Sequence, residues 1–246
     1  MTRFLIIGTQ RSGSTLLRRY LDSHPGIRCG GEIFVMRGGQ PQVYDTWRRS
    51  TAKRRTGHWL GRKNQVYQYL DFFFSQSEAH IMGFKILYSH LRRLPYRYPM
   101  VMDYAQTGGF KIIHIQRRNA LKTILSRTRA IRSRTFHSRS TVAEDKTTLP
   151  TVGLVSQLER MDAEHRLWCD RTRSFDTRNI TYEDLSRDAQ SVCTDVATFL
   201  GAAGDHTFST ELVKLTPDRL SDAIENYEQV HALLKDTRFA FMLDDN

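Results

Sequence analysis

The stretch Phe4-Leu-Ile-Ile-Gly-Thr-Gln-Arg-Ser-Gly-Ser-Thr-Leu-Leu17 constrains this chain more than any other. Four apolar residues bounded by Gly8 read as a short buried strand. Gly8, Arg11, Ser12, Gly13, Ser14 and Thr15 then make a tight polar loop. From Ser14 onward Leu16, Leu17, Tyr20 and Leu21 recur at helical spacing until His24-Pro25 ends the pattern. Strand, glycine loop and helix together are the layout in which backbone N–H groups and a helix N-terminus cradle a phosphate or a similar oxyanion. Gly8 and Gly13 stand at the spacing of the Walker A motif, G-x-x-x-x-G-K-[ST], and Thr15 stands at its hydroxyl position. Its lysine position holds Ser14, which argues against ordinary ATP or GTP chemistry, because that chemistry needs the lysine on the β- and γ-phosphates. The cation sits inside the loop instead, as Arg11.

Two further strands carry charged residues that need a reason. Ile81–Leu87 is an apolar run with Lys85 inside it, a costly placement unless the ammonium meets an anion or reaches the surface. Residues 111–120 begin as a strand and run into a helix carrying Leu121, Ile124 and Leu125. Neither strand ends in an aspartate that would hold magnesium; the second ends in Arg117-Arg118. Arg118, Lys122 and Ser126 recur at i, i+4 and i+8, which predicts one helix face offering two cations and a hydroxyl to a phosphate. Glu32 follows the first helix in Gly30-Gly-Glu-Ile33. It is either a general base or a structural carboxylate paired with a nearby arginine.

Thr9-Gln-Arg-Ser-Gly-Ser-Thr-Leu-Leu17 resembles the 5′-phosphosulfate loop of sulfotransferases that use 3′-phosphoadenosine 5′-phosphosulfate (PAPS), in the R-S-G-S-[ST] form of the carbohydrate branch. The R-N-A-x-x-x-x-x-S pattern from Arg118 to Ser126 resembles the 3′-phosphate motif of the same family. The resemblance implies a single α/β domain over residues 1–246, a three-layer P-loop-like fold with a central, mainly parallel sheet flanked by helices. It implies that Arg11, Ser12, Gly13, Ser14 and Thr15 hold the phosphosulfate and that Arg118 and Ser126 hold the 3′-phosphate. Glu32 then takes the proton of an acceptor hydroxyl, with Arg11 and Lys85 as further catalytic candidates. The donor is PAPS, its product is adenosine 3′,5′-bisphosphate, no metal is required, and the acceptor is a hydroxyl on a carbohydrate or glycolipid.

Charge distribution fits an anionic ligand. Residues 1–140 carry 26 Lys and Arg against 6 Asp and Glu, whereas residues 141–246 carry 11 against 20. A basic half around an anion loop draws an anion in. The same charge, with Trp47, His58 and Trp59 interleaved among arginines, keeps a non-enzymatic nucleic-acid-binding protein open as an alternative. A divergent P-loop phosphotransferase is the other. Two hundred and forty-six residues suffice for one full core. No apolar run approaches a membrane span, and three scattered cysteines form no C-x-x-C pair. With the first strand reached by Phe4, these features predict a cytoplasmic protein with reduced thiols and no structural metal. The polar stretch 131–150, with His137, reads as a loop near the site. Residues 151–173 read as a long helix with His165 and Trp168 facing the core, Asn179–Leu185 as a strand entering a helix, and 219–234 as one amphipathic helix.

Overall fold

The computed structural model describes residues 1–34, 44–50, 59–93, 98–132, 146–202, 204–211 and 219–244. Five strands, β1 (Thr2–Gly8), β2 (Ile27–Gly30), β3 (Ile81–Leu87), β4 (Lys111–Gln116) and β5 (Thr177–Thr181), form one sheet in the order β2-β3-β1-β4-β5. Every pairing is parallel, with Ile6 opposite both Lys85 and Ile113. Parallel neighbours require crossover connections, and helices supply them. These are α1 (Ser14–Asp22), α2 (Tyr44–Ser50), α3 (Trp59–Ser75), α4 (Tyr88–Arg93), α5 (Tyr98–Thr107), α6 (Ala120–Arg132) and α7 (Leu154–Thr172). After β5 come α8 (Tyr182–Arg187), α9 (Ala189–Leu200), α10 (Leu220–Ala223), α11 (Tyr227–Leu234) and a 3-10 turn at Ala240–Leu243.

β1 shows why three layers form. Phe4, Leu5, Ile6 and Ile7 are fully buried, and successive side chains point to opposite faces. Phe4 and Ile6 pack with Leu17 and Leu21 of α1 and Val196 and Leu200 of α9. Leu5 and Ile7 pack with Tyr69 and Leu70 of α3, Met100 of α5 and Trp168 of α7. A strand buried on both faces reads as an unbroken apolar run, as this one does. Burial of each such side chain is worth about 1.5–3 kcal/mol. A third cluster joins Leu121 and Leu125 of α6 to Leu154 and Leu158 of α7 and to the C-terminal elements, including Val230 and Met242.

α1 and β3 fall on the residues expected, and Trp168 is in the core. Two elements differ. β2 has no counterpart among the expected strands, because four residues ending in glycine carry too little pattern. The single C-terminal helix expected over 219–234 is instead two helices, α10 and α11, interrupted at Ile224. Ile224 is extended (φ −108°, ψ 122°) and bridges in parallel to Thr147, which donates its N–H to Ala223 O at 2.9 Å and accepts from Glu225 N. Leu220, Ile224 and Val230 still face inward; the helix is broken because backbone pairing with Thr147 outcompetes local hydrogen bonding. Residues 38–41, His58 and most of the stretch 131–150, His137 included, lie outside the described residues. Among those described, no helix is long and apolar enough to cross a membrane, and all three cysteines are free.

Candidate active site

β1 is flanked by β3 on one side and β4 on the other. The connections therefore diverge at its carboxyl end, where an open α/β sheet takes its ligand. The loop that leaves β1 is folded on itself: Ser12 donates its N–H and its hydroxyl to Thr9 O at 3.4 and 2.8 Å. Arg11 is at φ +66°, the one described non-glycine residue with positive φ, and Gly13 is at φ +88°. Such a conformation in an arginine is strained and is held only by its surroundings. Both glycines are required by close approach. A Cβ on Gly8 would lie 2.5 Å from Ile115 O, and one on Gly13 would lie 2.5 Å from Tyr182 Cδ2. Gly13 caps α1 without a side-chain hydrogen bond, and the first turn of α1 holds no acidic residue. The positive end of α1 is thus left facing the loop, the setting in which helix N-termini bind anions.

Lys85 resolves its own puzzle. It is buried, 6% exposed, and its Nζ donates to Thr15 Oγ1 at 2.7 Å and meets Glu32 Oε1 at 2.8 Å. Three residues named from separate stretches of sequence therefore converge: one from α1, one after β2, one from β3. The register explains it, because Lys85 stands opposite Ile6 and shares the face of β1 against which α1 packs. An ammonium taken out of water at this cost is tolerated only with such partners. The second Glu32 oxygen lies 3.5 Å from His90 Nε2 on α4, and the carboxylate remains 29% exposed. Both oxygens are thus engaged, while the side chain keeps part of its surface in solvent.

The second motif is only partly assembled. Ser126 Oγ on α6 accepts from Arg11 Nε at 2.9 Å, so the two sequence motifs touch directly. Arg118 does not share a helix face with Lys122 and Ser126, a correction to the spacing argument: α6 begins at Ala120, and Arg118 precedes it. Its guanidinium is turned to Asp184 Oδ2 at 2.8 Å and Thr181 Oγ1 at 3.4 Å. Glu183 accepts the backbone N–H groups of Arg118 and Asn119, and Asn119 Oδ1 accepts from Lys122 N. The start of α6 is therefore already supplied with acceptors. Lys122 and Ser126 are buried.

Arg117 is a site residue that spacing alone does not single out. It lies over the Tyr182 ring, 4.5 Å from its centroid, and its buried Nε has no hydrogen-bond partner. Burial lowers its pKa, as burial lowers that of Arg11, and Arg11 itself adds to the effect on Arg117. Two desolvated guanidiniums that repel each other would be favoured by a nearby anion, a part that Glu183 takes in some measure at Arg117. A cleft of about 180 Å³ opens beside them beyond β1 and β4, lined by Thr9, Gln116, Arg117, Tyr88, His165 and Phe241 among others. His165, expected in the core, is instead part of this wall.

The sulfotransferase family model matches residues 3–103. A putative protein-tyrosine sulfotransferase of Caenorhabditis briggsae is 55% identical over 29 residues, which are 12% of this chain and 10% of that protein. A sulfotransferase from Alicyclobacillus acidocaldarius superposes with a TM-score of 0.48 at 17% identity, covering 99% of this chain and 94% of the other. Mouse sulfotransferase SULT7A1 complexed with PAP gives a TM-score of 0.48 at 15% identity, covering 83% and 61%. The anion loop, Glu32 and Lys85 all lie inside residues 3–103, the stretch that the sulfotransferase family model matches.

Proposed function

We propose that the protein transfers the sulfuryl group of PAPS to an acceptor hydroxyl, with Glu32 as general base. The observation that carries this reading is the Thr15–Lys85–Glu32 chain, with contacts of 2.7 and 2.8 Å, which ties an open carboxylate to the anion loop. The residues fit the nucleotide: an α1 N-terminus without a side-chain cap, two glycines that admit no Cβ, and the unpartnered Arg117 Nε. Arg11, Ser12, Gly13, Ser14 and Thr15 would hold its 5′-phosphosulfate, and Arg118 with Ser126 its 3′-phosphate. When bound, the nucleotide supplies the sulfuryl group and a phosphate leaving group.

The chain's own residues do the rest. Glu32, whose side chain is 29% exposed, would accept the acceptor's proton. Lys85 holds Glu32 beside Thr15, and its ammonium would offset negative charge that develops on a transferring sulfuryl group. Arg11, tied to Ser126 Oγ, would offset charge developing on the leaving oxygen, and the loop would orient the bound phosphosulfate. The acceptor class favoured by the R-S-G-S-T loop is a carbohydrate or glycolipid hydroxyl. The 29-residue match to a putative protein-tyrosine sulfotransferase supports a phenolic peptide hydroxyl as a second reading.

Calorimetric titration with adenosine 3′,5′-bisphosphate, 5′-AMP and Mg-ATP tests the donor. Micromolar bisphosphate binding with much weaker AMP and ATP is expected; tighter Mg-ATP would indicate a phosphotransferase. Steep salt-dependent binding to generic oligonucleotides in place of either would indicate a nucleic-acid binder. Radiolabelled sulfuryl transfer to sugar, glycolipid and tyrosine-peptide panels then separates the acceptors.

A further inference from the structure

One cluster of polar side chains takes no part in the chemistry above. His114 is on β4, while His165 and Cys169 stand one turn apart on α7, where i and i+4 share a face. Cys169 Sγ lies 3.8 Å from His114 Nδ1 and 3.4 Å from His165 Nε2. One ligand atom from each residue falls within 4.8 Å of the other two, and no other such group of His, Cys, Asp or Glu occurs among the described residues. The remaining ring nitrogens, His114 Nε2 and His165 Nδ1, both meet the Tyr88 hydroxyl, the latter at 3.3 Å. Tyr88 is itself buried and stacked on Trp168 with centroids 5.4 Å apart.

We propose that His114, His165 and Cys169 form a binding site for a divalent cation of the zinc type, oriented by Tyr88. One thiolate and two imidazoles are a donor set that zinc takes, with a fourth position left over. Zn–S and Zn–N bonds at a tetrahedral angle separate sulfur from nitrogen by about 3.6 Å, and the two observed separations, 3.4 and 3.8 Å, bracket that value. Each imidazole must turn a bare nitrogen to the ion and donate its N–H elsewhere. The Tyr88 oxygen, with two lone pairs, is placed to receive both N–H groups, and Asn179 is a further hydrogen-bond partner of His114. Tyr88 and His165 line the cleft, which gives the ion an entry path and gives the fourth position room for a water or a ligand oxygen. The ion staples α7 to the sheet at the wall of the cleft.

Titration of tag-free, chelator-treated protein with Co²⁺ reads the site without reference to activity. One equivalent is expected to give near-ultraviolet thiolate-to-cobalt charge transfer with the visible bands of a tetrahedral ion, and Zn²⁺ should abolish both. Cys169→Ser should remove the charge-transfer band. Tyr88→Phe should keep it while weakening Co²⁺ by about 10- to 100-fold, and His165→Ala should weaken it further. Cys169 and His165 are only partly buried, and circular dichroism checks that each variant folds. Absence of a one-equivalent band in the unaltered protein would overturn the proposal whatever the variants do, as would a band that survives Cys169→Ser in folded protein.

Discussion

Alanine at Gly13 separates two costs that the loop combines. The first is conformational: at φ +88° an L side chain crowds its own backbone, at about 1–2 kcal/mol. The second is contact: the new Cβ would lie 2.5 Å from Tyr182 Cδ2, so the ring must swing away. That movement removes the stack under Arg117, whose guanidinium is 4.5 Å from the ring centroid, at about 0.5–2 kcal/mol. Gly13→Ala should therefore lose about 1.5–4 kcal/mol in total. Gly153 provides the control. It is at φ +75° at the start of α7, and a methyl added there would meet nothing within 4 Å, so Gly153→Ala should lose only about 1–2 kcal/mol. Urea unfolding of both variants measures the difference, and calorimetry with adenosine 3′,5′-bisphosphate measures whether a displaced Arg117 weakens the site. Shortening the ring in Gly13→Ala/Tyr182→Ala should make the double loss smaller than the sum of the single losses. Equal stability losses at Gly13 and Gly153, with bisphosphate affinity unchanged, would refute the argument that Tyr182 buttresses the loop.

Three further outcomes are expected. Glu32→Gln should leave bisphosphate binding intact while lowering sulfuryl transfer by about 10² or more; near-normal turnover would remove Glu32 as the base. Arg118→Ala should weaken adenosine 3′,5′-bisphosphate but not 5′-AMP, measured by calorimetry, and equal losses would contradict a 3′-phosphate role. Asp184 is held below its ordinary pKa of 3.8 chiefly by the Thr181 hydroxyl, with Arg118 and Arg187 adding to it. Because the native state keeps this carboxylate charged longer than the unfolded chain, its contribution is present above pH 3.8 and is lost as the pH falls below it. The stability difference between the unaltered protein and Asp184→Asn, followed by thermal melts, should be constant near neutrality and shrink in acid; a difference that grew on acidification would reverse the assignment.

Much of the site can be read locally. The loop announces itself because phosphate-type recognition by backbone needs glycines at set distances, and β1 announces itself because burial on both faces needs an unbroken apolar run. Lys85 is legible as an anomaly, since an ammonium in such a run must have a partner; that the partner is Glu32 is not, because it depends on β2 and β3 lying side by side. His90 gives no signal for the same reason. Arg117 gives no periodic signal either, and its importance comes from Tyr182, sixty-five positions later. Spacing misleads at Arg118, where helical periodicity is carried across a boundary that Asn119 caps. Cys169 looks solitary among scattered cysteines, whereas its neighbours in space, His114 and His165, come from another strand and the preceding turn of its own helix.

If Arg118 takes the 3′-phosphate as proposed, its pair with Asp184 makes donor binding an exchange rather than a simple addition. Arg118 is not waiting bare for a phosphate; it already has a carboxylate, 2.8 Å away in a pair whose arginine is 55% exposed. An exposed pair of this kind is worth at most about 1 kcal/mol, so a dianionic phosphate can displace Asp184 whereas a hydroxyl cannot. The displaced carboxylate keeps Arg187 as a partner, 2.5 Å away, and Thr181 still caps α8. On that proposal Asp184 is a weak competitor built into the protein, which a nucleotide lacking the second phosphate would leave in place on Arg118.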